Sequence, residues 1–445
     1  MLGELWRSLT GDELRPGAAV IEGGEAVLPG PFRVAAAASA SIAAATLAAG
    51  ELLRLNGIEP GTVSVDTRHA AAAFRSEQYV RVDGEAPPGV WGGLSGDYRA
   101  ADGWVKLHCN YPKHNAAARR ALGIPDSADA AAEAVAKRTA WDVQEAVVEA
   151  GGAAAAMRTR DEWLAHPQGQ ALADAPLVEF TPIAHSPARP LSTSDRPLGG
   201  VRVLELTHVI AGPVAGRALA AHGADVLQIG AAHLPRLRTL DIDTGLGKRS
   251  AFVDLRTGEG RARLWRLIAE ADVLLQSYRP GALAALGFTP EKLAEARPGI
   301  VLVELDAYGW SGPWARRRGF DSLVQMASGI AAETAVDKPR PLPAQALDHA
   351  TGWLAAAAAM TGLRRRAAEG GSYRALLALA STGRWLDSLG RKENTTEELD
   401  TTGLFDELDS PFGRLTHVRV PGTLPGANPF WAQGSPLPGE DTAEF

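Results

Sequence analysis

The stretch that decides the fold runs from Val201 to Ile229, VRVLELTHVIAGPVAGRALAAHGADVLQI. VRVLELTHV reads as a strand, IAGPVAG as a turn of small residues, RALAAHGA as an alanine-rich helix and DVLQI as a second strand, which makes a βαβ opening. The alternation continues downstream, with SAFVDLR as a strand, GEGRARLWRLIAEA as an amphipathic helix, and DVLLQSY and GIVLVELDAYG as further strands. A doubly wound α/β domain with a parallel sheet is therefore expected in the second half.

Upstream of Val201, the proline-rich segment TPIAHSPARPLSTSDRPLGG reads as an extended connection, which places the main boundary at 1–190 and 191–445. The first half reads as α+β. It has a helix from about Val34 to Leu55, a strand TVSVD, a helical segment around His69 to Phe74, strands in YVRVDG and GWVKLHC, further helical patterns, and a closing strand-like PLVEFTPI. A faint internal repeat links Ala38 to Arg54 with Asp348 to Arg364, each followed by a glycine turn, a strand and a helix. Where the second copy has Asp348 the first has Ala38, so chemistry that needs this carboxylate is confined to the second.

Bulk properties bound the function. A chain of 445 residues, 46% hydrophobic, buries substantial cores, and a net charge of −7 gives no overall attraction to nucleic acid or to anionic membranes. Cys109 is the single cysteine, so an internal disulfide and a thiolate metal cage are both excluded. The start, MLGELWRSLTGDELRPG, lacks the apolar core of a signal peptide, and a cytoplasmic protein is expected. The apolar stretches Val34 to Gly50 and Leu354 to Met360 read as buried helices.

Two nucleotide motifs fail. The strand–turn–helix at Leu206 to Ile229 points backbone N–H groups at an anion, but Ala211, Gly212, Pro213 and Gly216 do not spell the dinucleotide fingerprint, and Gly230 stands where an acid should end the second strand. GLGKRS, Gly245 to Ser250, has Arg249 where a P-loop needs Ser or Thr after the lysine. His108, Cys109 and His114 match no common zinc spacing.

Taken in order, VRVLELTHVIAGPVAG, HGADVLQI, GKRSAFVDL, ADVLLQSYRPGALAALGF, YGWSGPWARRRGFD and ALDHATGWLAA resemble the class III CoA transferases and acyl-CoA racemases of the CaiB/BaiF family, from about Leu198 to Arg366. The ending SPLPGEDTAEF is similar too, and the first half resembles the family's smaller domain as a degenerate copy without the nucleophile, an arrangement that suggests duplication and fusion. The resemblance implies a Rossmann-like sheet that binds CoA, with His208, Val209, Ile210 and Ala211 at the first strand's end, Gln276, Tyr278 and Arg279 in QSYRPG, and Lys248 and Arg249 as contacts. An arginine fork suits CoA phosphates, while Tyr278 and Arg279 also read as a core ring and a surface turn.

Asp348 matters most. Its local reading is a helix N-cap before ATGWLAAAAAMTGLRRR, with Arg364 to Arg366 at the far end of the dipole. The resemblance makes it instead the nucleophile that forms an anhydride and then an aspartyl-CoA thioester, with no cofactor required beyond CoA or acyl-CoA as substrate. Trp91, Gly92, Gly93 and Gly96 are candidates for a loop over the site that stabilises oxyanions. The racemase branch needs a histidine where Phe320 stands in Gly319, Phe320, Asp321, unless His349 or His208 substitutes; Asp321 reads as structural, capping the next helix, and His349 as structural. The expected partners are acyl-CoA and carboxylic acids, with a homodimer as the implied assembly. A non-catalytic CoA binder is the alternative outside the enzyme classes.

Overall fold

The computed structural model describes residues 1–395 and 398–445. Its centre is a seven-stranded, mostly parallel sheet, so the fold is mixed α/β. Across the sheet lie Arg249–Phe252, Asp225–Gly230, Arg202–Leu206, Val273–Gln276, Val301–Asp306 and Ser372–Ala378, all parallel, and then Glu179–Ala184 antiparallel at the edge. Numbered along the chain, the six parallel strands stand in the order 3-2-1-4-5-6. The chain therefore reverses direction across the sheet between Arg202–Leu206 and Val273–Gln276, the point at whose carboxyl ends open α/β sheets of this order form a ligand crevice. The strand Val301–Asp306 reads VLVEL without alternation because both its faces are covered; Val301 and Val303 are fully buried.

The edge strand Glu179–Ala184 precedes the proline-rich connection yet pairs with Ser372–Ala378. In the other direction, the C-terminal hairpin Phe405–Ser410 and Gly413–Val418 takes Arg81–Val82 of the first half as its third strand. The two halves are thus interlocked through hydrogen-bonded sheets. A separate antiparallel sheet, Gly96–Arg99, Trp104–Leu107 and Ala154–Ala156, belongs to the first half alone.

The repeat has a physical form. Ala19–Glu22 pairs in parallel with Val63–Asp66 around the helix Val34–Leu55, as Val301–Asp306 pairs in parallel with Ser372–Ala378 around the helix Ala346–Glu369. These two helices pack on each other at the heart of the molecule. Their alanines explain the closeness: Ala38, Ala43, Ala44, Ala355, Ala356 and Ala358 are all fully buried, and a small side chain lets helix backbones approach. Val34–Leu55 is long and apolar enough to cross a membrane, but 94% of its most apolar window is buried inside the protein. At the far end of Ala346–Glu369, the buried Arg366 reaches Asp272 at 2.9 Å, and Arg297 reaches the same carboxylate at 3.4 Å, which clamps the helix to the sheet.

Candidate active site

Asp348 is the third residue of the helix Ala346–Glu369, not its N-cap; Gln345 holds the cap position without a side-chain bond. The missing cap is supplied by another helix. Asp321, first residue of Asp321–Ala327, accepts the backbone N–H of Asp348 on Oδ2 at 2.9 Å, while its Oδ1 accepts from Gln325 Nε2. Gln325 Oε1 in turn accepts the N–H of Leu342 at 2.7 Å. Asp321 therefore caps the next helix along the chain, that of Asp348.

Three acids meet here. Asp348 is 7% exposed, and burial together with the charges of Asp321 and Glu77 pushes its pKa well above the usual aspartate range. Burial raises Asp321 to about 6 against the pull of its hydrogen bonds. Burial also acts upward on Glu77, but the hydrogen bond and charge of His349 outweigh it and its pKa falls. His349 Nε2 lies 3.0 Å from Glu77 Oε2, and its ring stacks on Phe74 at 5.4 Å. Since Glu77 and Phe74 both come from the first half, that half is part of the site.

The crevice residues converge on the same place. Gly352, one turn beyond Asp348, faces the carbonyl of Ala211 so closely that a Cβ would stand 2.5 Å from that oxygen. This contact seats the helix of Asp348 on the start of the helix Ala211–Ala221, directly after His208, Val209 and Ile210. Val209 has φ 73°, a left-handed conformation rare for a branched residue, which marks the loop as strained where a ligand site is expected. His208 is open to solvent yet enclosed by protein, as a cleft wall is; that enclosure, with the charge of Arg236 added, lowers its pKa. Tyr278 lies 6.0 Å from it on the neighbouring strand's end. Arg279 is exposed, and among the described residues its guanidinium makes no ion pair or hydrogen bond.

Other expected contacts are engaged elsewhere. Lys248 is 1% exposed, with Nζ 2.7 Å from Glu205 and 2.8 Å from the Pro213 carbonyl, so a buried ion pair consumes the charge expected for phosphate. Arg249 holds Asp225 at 2.7 Å and the carbonyl of Glu444. Both backbones stand at the amino end of their strand, but the Lys248 ammonium reaches the first turn of the helix Ala211–Ala221. Gln276 donates its amide N–H to Glu304 at 3.0 Å and accepts the N–H of Tyr278 at 2.8 Å, which shapes the turn. In the first-half loop the N–H of Gly92 is taken by Asn110 Oδ1 at 3.0 Å, and Gly96 opens a strand that pairs with Trp104–Leu107.

Several site residues escaped the sequence. Phe320 stacks face to face on His108 at 3.6 Å, and Tyr111 and His114 surround the same ring. Arg236 fills the space left by Gly230, where a Cβ would meet its Nη1 at 2.8 Å, and Arg318 lies close enough to Arg279 for the two charges to interact. Asp306, at the end of its strand, is raised to about 7 by burial. The ARRRG run and the acid ending VLVELD were the available signals.

The family model described as CoA-transferase family III matches residues 6–188 and 198–388. An acyl-CoA transferase of Gibberella moniliformis is 30% identical over 393 residues, 78% of this chain and 69% of that protein. A succinyl-CoA–D-citramalate CoA-transferase of Chloroflexus aurantiacus is 36% identical over 157 residues, 32% of this chain and 39% of that protein. Among solved structures, a CAIB/BAIF family protein from Brucella suis is 27% identical, with 50% of this chain and 65% of that chain covered at a TM-score of 0.41.

Proposed function

The chain belongs to CoA-transferase family III, and on that premise we propose that it moves CoA from an acyl-CoA thioester to a free carboxylic acid, with Asp348 as the covalent nucleophile. The Asp348 carboxylate attacks the thioester carbonyl; the C–S bond breaks and CoA leaves as thiolate, giving a mixed anhydride. The thiolate attacks the aspartyl carbonyl and expels the donor acid, giving an aspartyl-CoA thioester. An acceptor carboxylate then repeats both steps in reverse order and restores Asp348. No proton or electron is gained or lost, so the cycle needs neither a metal nor a redox cofactor.

The observation that carries this reading is the crowding of Asp348 by Asp321 and Glu77. Acylation removes the negative charge of Asp348 from a buried acid cluster, so the repulsion that burdens the free carboxylate is relieved in every covalent intermediate. The strand order supports a Rossmann-like reading of the sheet. It sets His208 and Tyr278 on adjacent strands at the point of reversal, where CoA would lie, with Arg279 free for its phosphates. An isomerase reading lacks a base at the expected position, where Phe320 stands and the stacked His108 is depressed to about 3, chiefly by burial, and so depends on His208 or His349 instead. A cytoplasmic homodimer completes the reading.

The test is intact-protein mass spectrometry after incubation with a panel of acyl-CoAs, with and without hydroxylamine, on wild type and Asp348→Ala. A CoA-sized adduct on wild type, discharged by hydroxylamine and missing from the variant, is expected. CoA binding without any adduct across the panel would refute the covalent mechanism.

A further inference from the structure

His349 is held from two directions by the half of the chain that has no nucleophile. The Phe74 ring covers its face and Glu77 takes its Nε2, while the side chain is fully buried. Its other nitrogen, Nδ1, is buried and has no hydrogen-bond partner among the described residues. The short helix Ser76–Tyr79 that carries Glu77 is itself pinned: Ser76 Oγ donates to Asp243 at 2.8 Å and accepts from Arg217 at 3.2 Å, and Arg217 closes the triangle with Asp243 at 3.0 Å. Those three groups are buried, so Glu77 stands on a rigid base. The groups around the imidazole are Glu77 on its edge, Asp348 beside it in the chain, Asp321 from the neighbouring helix and, beyond Glu77, Arg217.

A helix-packing role alone would be served by an apolar side chain at position 349, without the cost of burying a charged partner. The carboxylate–imidazole pair does something packing does not: it fixes one ring orientation next to the reacting carboxylate. Because His349 and Asp348 are consecutive in the first helical turn, turning one side chain's backbone turns the other's. We propose that Glu77 is a positioning residue for transfer at Asp348, acting through His349, so that the half without a nucleophile sets the geometry of the half that has one. This rests on the reading of Asp348 as nucleophile.

The experiment is a double-mutant cycle on the full chain, with Glu77→Ala, His349→Asn and both together, and Glu77→Gln as the conservative variant. The readouts are the plateau rate of CoA-adduct formation and the acyl-CoA concentration that half-saturates it. Glu77→Ala is expected to slow the plateau about 10-fold or more, since displacements near 1 Å are costly to positioned groups, with half-saturation changed less than about 2-fold. Glu77→Gln is expected to recover part of the rate, because its amide oxygen still accepts from Nε2. In the His349→Asn background, Glu77→Ala is expected to have almost no further effect. A plateau unchanged by Glu77→Ala, an equal slowing with or without His349, or a loss confined to acyl-CoA affinity would each overturn the proposal while leaving Asp348 intact. Wild type without any adduct would instead remove the underlying reading.

Discussion

Asp306→Asn isolates one buried charge at the edge of the site. Asp306 ends its strand with Oδ1 accepting the N–H of Tyr308 at 2.9 Å, while Oδ2 is buried without a partner. Burial pushes its pKa from the ordinary 3.8 to about 7, against the backbone N–H groups of Tyr308, Ala307 and Gly309. A raised folded-state pKa means that the native protein holds the proton longer than the unfolded chain does. The stabilisation is then complete below pH 4 and lost as pH climbs through 7. Between pH 5 and 8 the two pKa values give a loss of roughly 2.5 kcal/mol at about 1.4 kcal/mol per unit. Solvent screening of a carboxylate that is only partly covered reduces this to about 1–2 kcal/mol. Asparagine keeps the Oδ1 acceptor and cannot ionise, so its own cost is independent of pH. Urea unfolding of wild type and variant at pH 5 and pH 8 should show the variant gaining about 1–2 kcal/mol relative to wild type at the higher pH. An equal difference at both values would refute the assignment of a raised pKa to this carboxyl.

Two further outcomes follow from buried groups. His222 is 1% exposed, its Nδ1 has no partner, and burial lowers its pKa to about 3; its contribution is present above 6.5 and lost as pH falls. His222→Leu should therefore recover about 2 kcal/mol at pH 5 relative to pH 7.5, measured by urea unfolding. At Gly216 a Cβ would stand 1.8 Å from Glu205 Oε2 and 3.0 Å from Lys248 Nζ. Gly216→Ala should force this buried pair apart and lower stability by about 3–5 kcal/mol in the same assay, whereas a loss under 1 kcal/mol would mean that the backbone yields easily.

The parallel sheet was legible because each strand is a local run of branched residues bounded by helix patterns. VRVLEL, DVLQI and VLLQ gave their own boundaries to within a few residues. Asp348 was singled out by the order of the surrounding motifs. Its environment was not: Glu77 lies 272 residues from His349 in sequence, and nothing in SEQY marks a site. GKRS misled for a related reason, since a lysine before a strand looks solvated until Glu205, from a different strand, is brought beneath it. The cap of the helix of Asp348 was misassigned because its acceptor comes from Asp321, 27 residues away. Periodicity reports which face of an element is covered, never which distant polar group covers it.

That distinction bears on why the two halves remain bound to one another. The helix Val34–Leu55 and the helix Ala346–Glu369 occupy matching places in the repeat, and burial lifts the pKa of an acid near the start of each, Glu25 and Asp321. The side-chain cap from Asp321 to the Asp348 N–H belongs to the second copy, which is also the copy that carries the carboxylate. An aspartate at position 38 would be buried against the partner helix, where Ala38 is fully covered, and an unrelieved charge there is costly. At position 348 the proposed acylation would neutralise the charge. The alanine copy therefore suits packing and the aspartate copy suits transfer. The first half stays necessary because Phe74 and Glu77 hold the residue beside the reacting carboxylate.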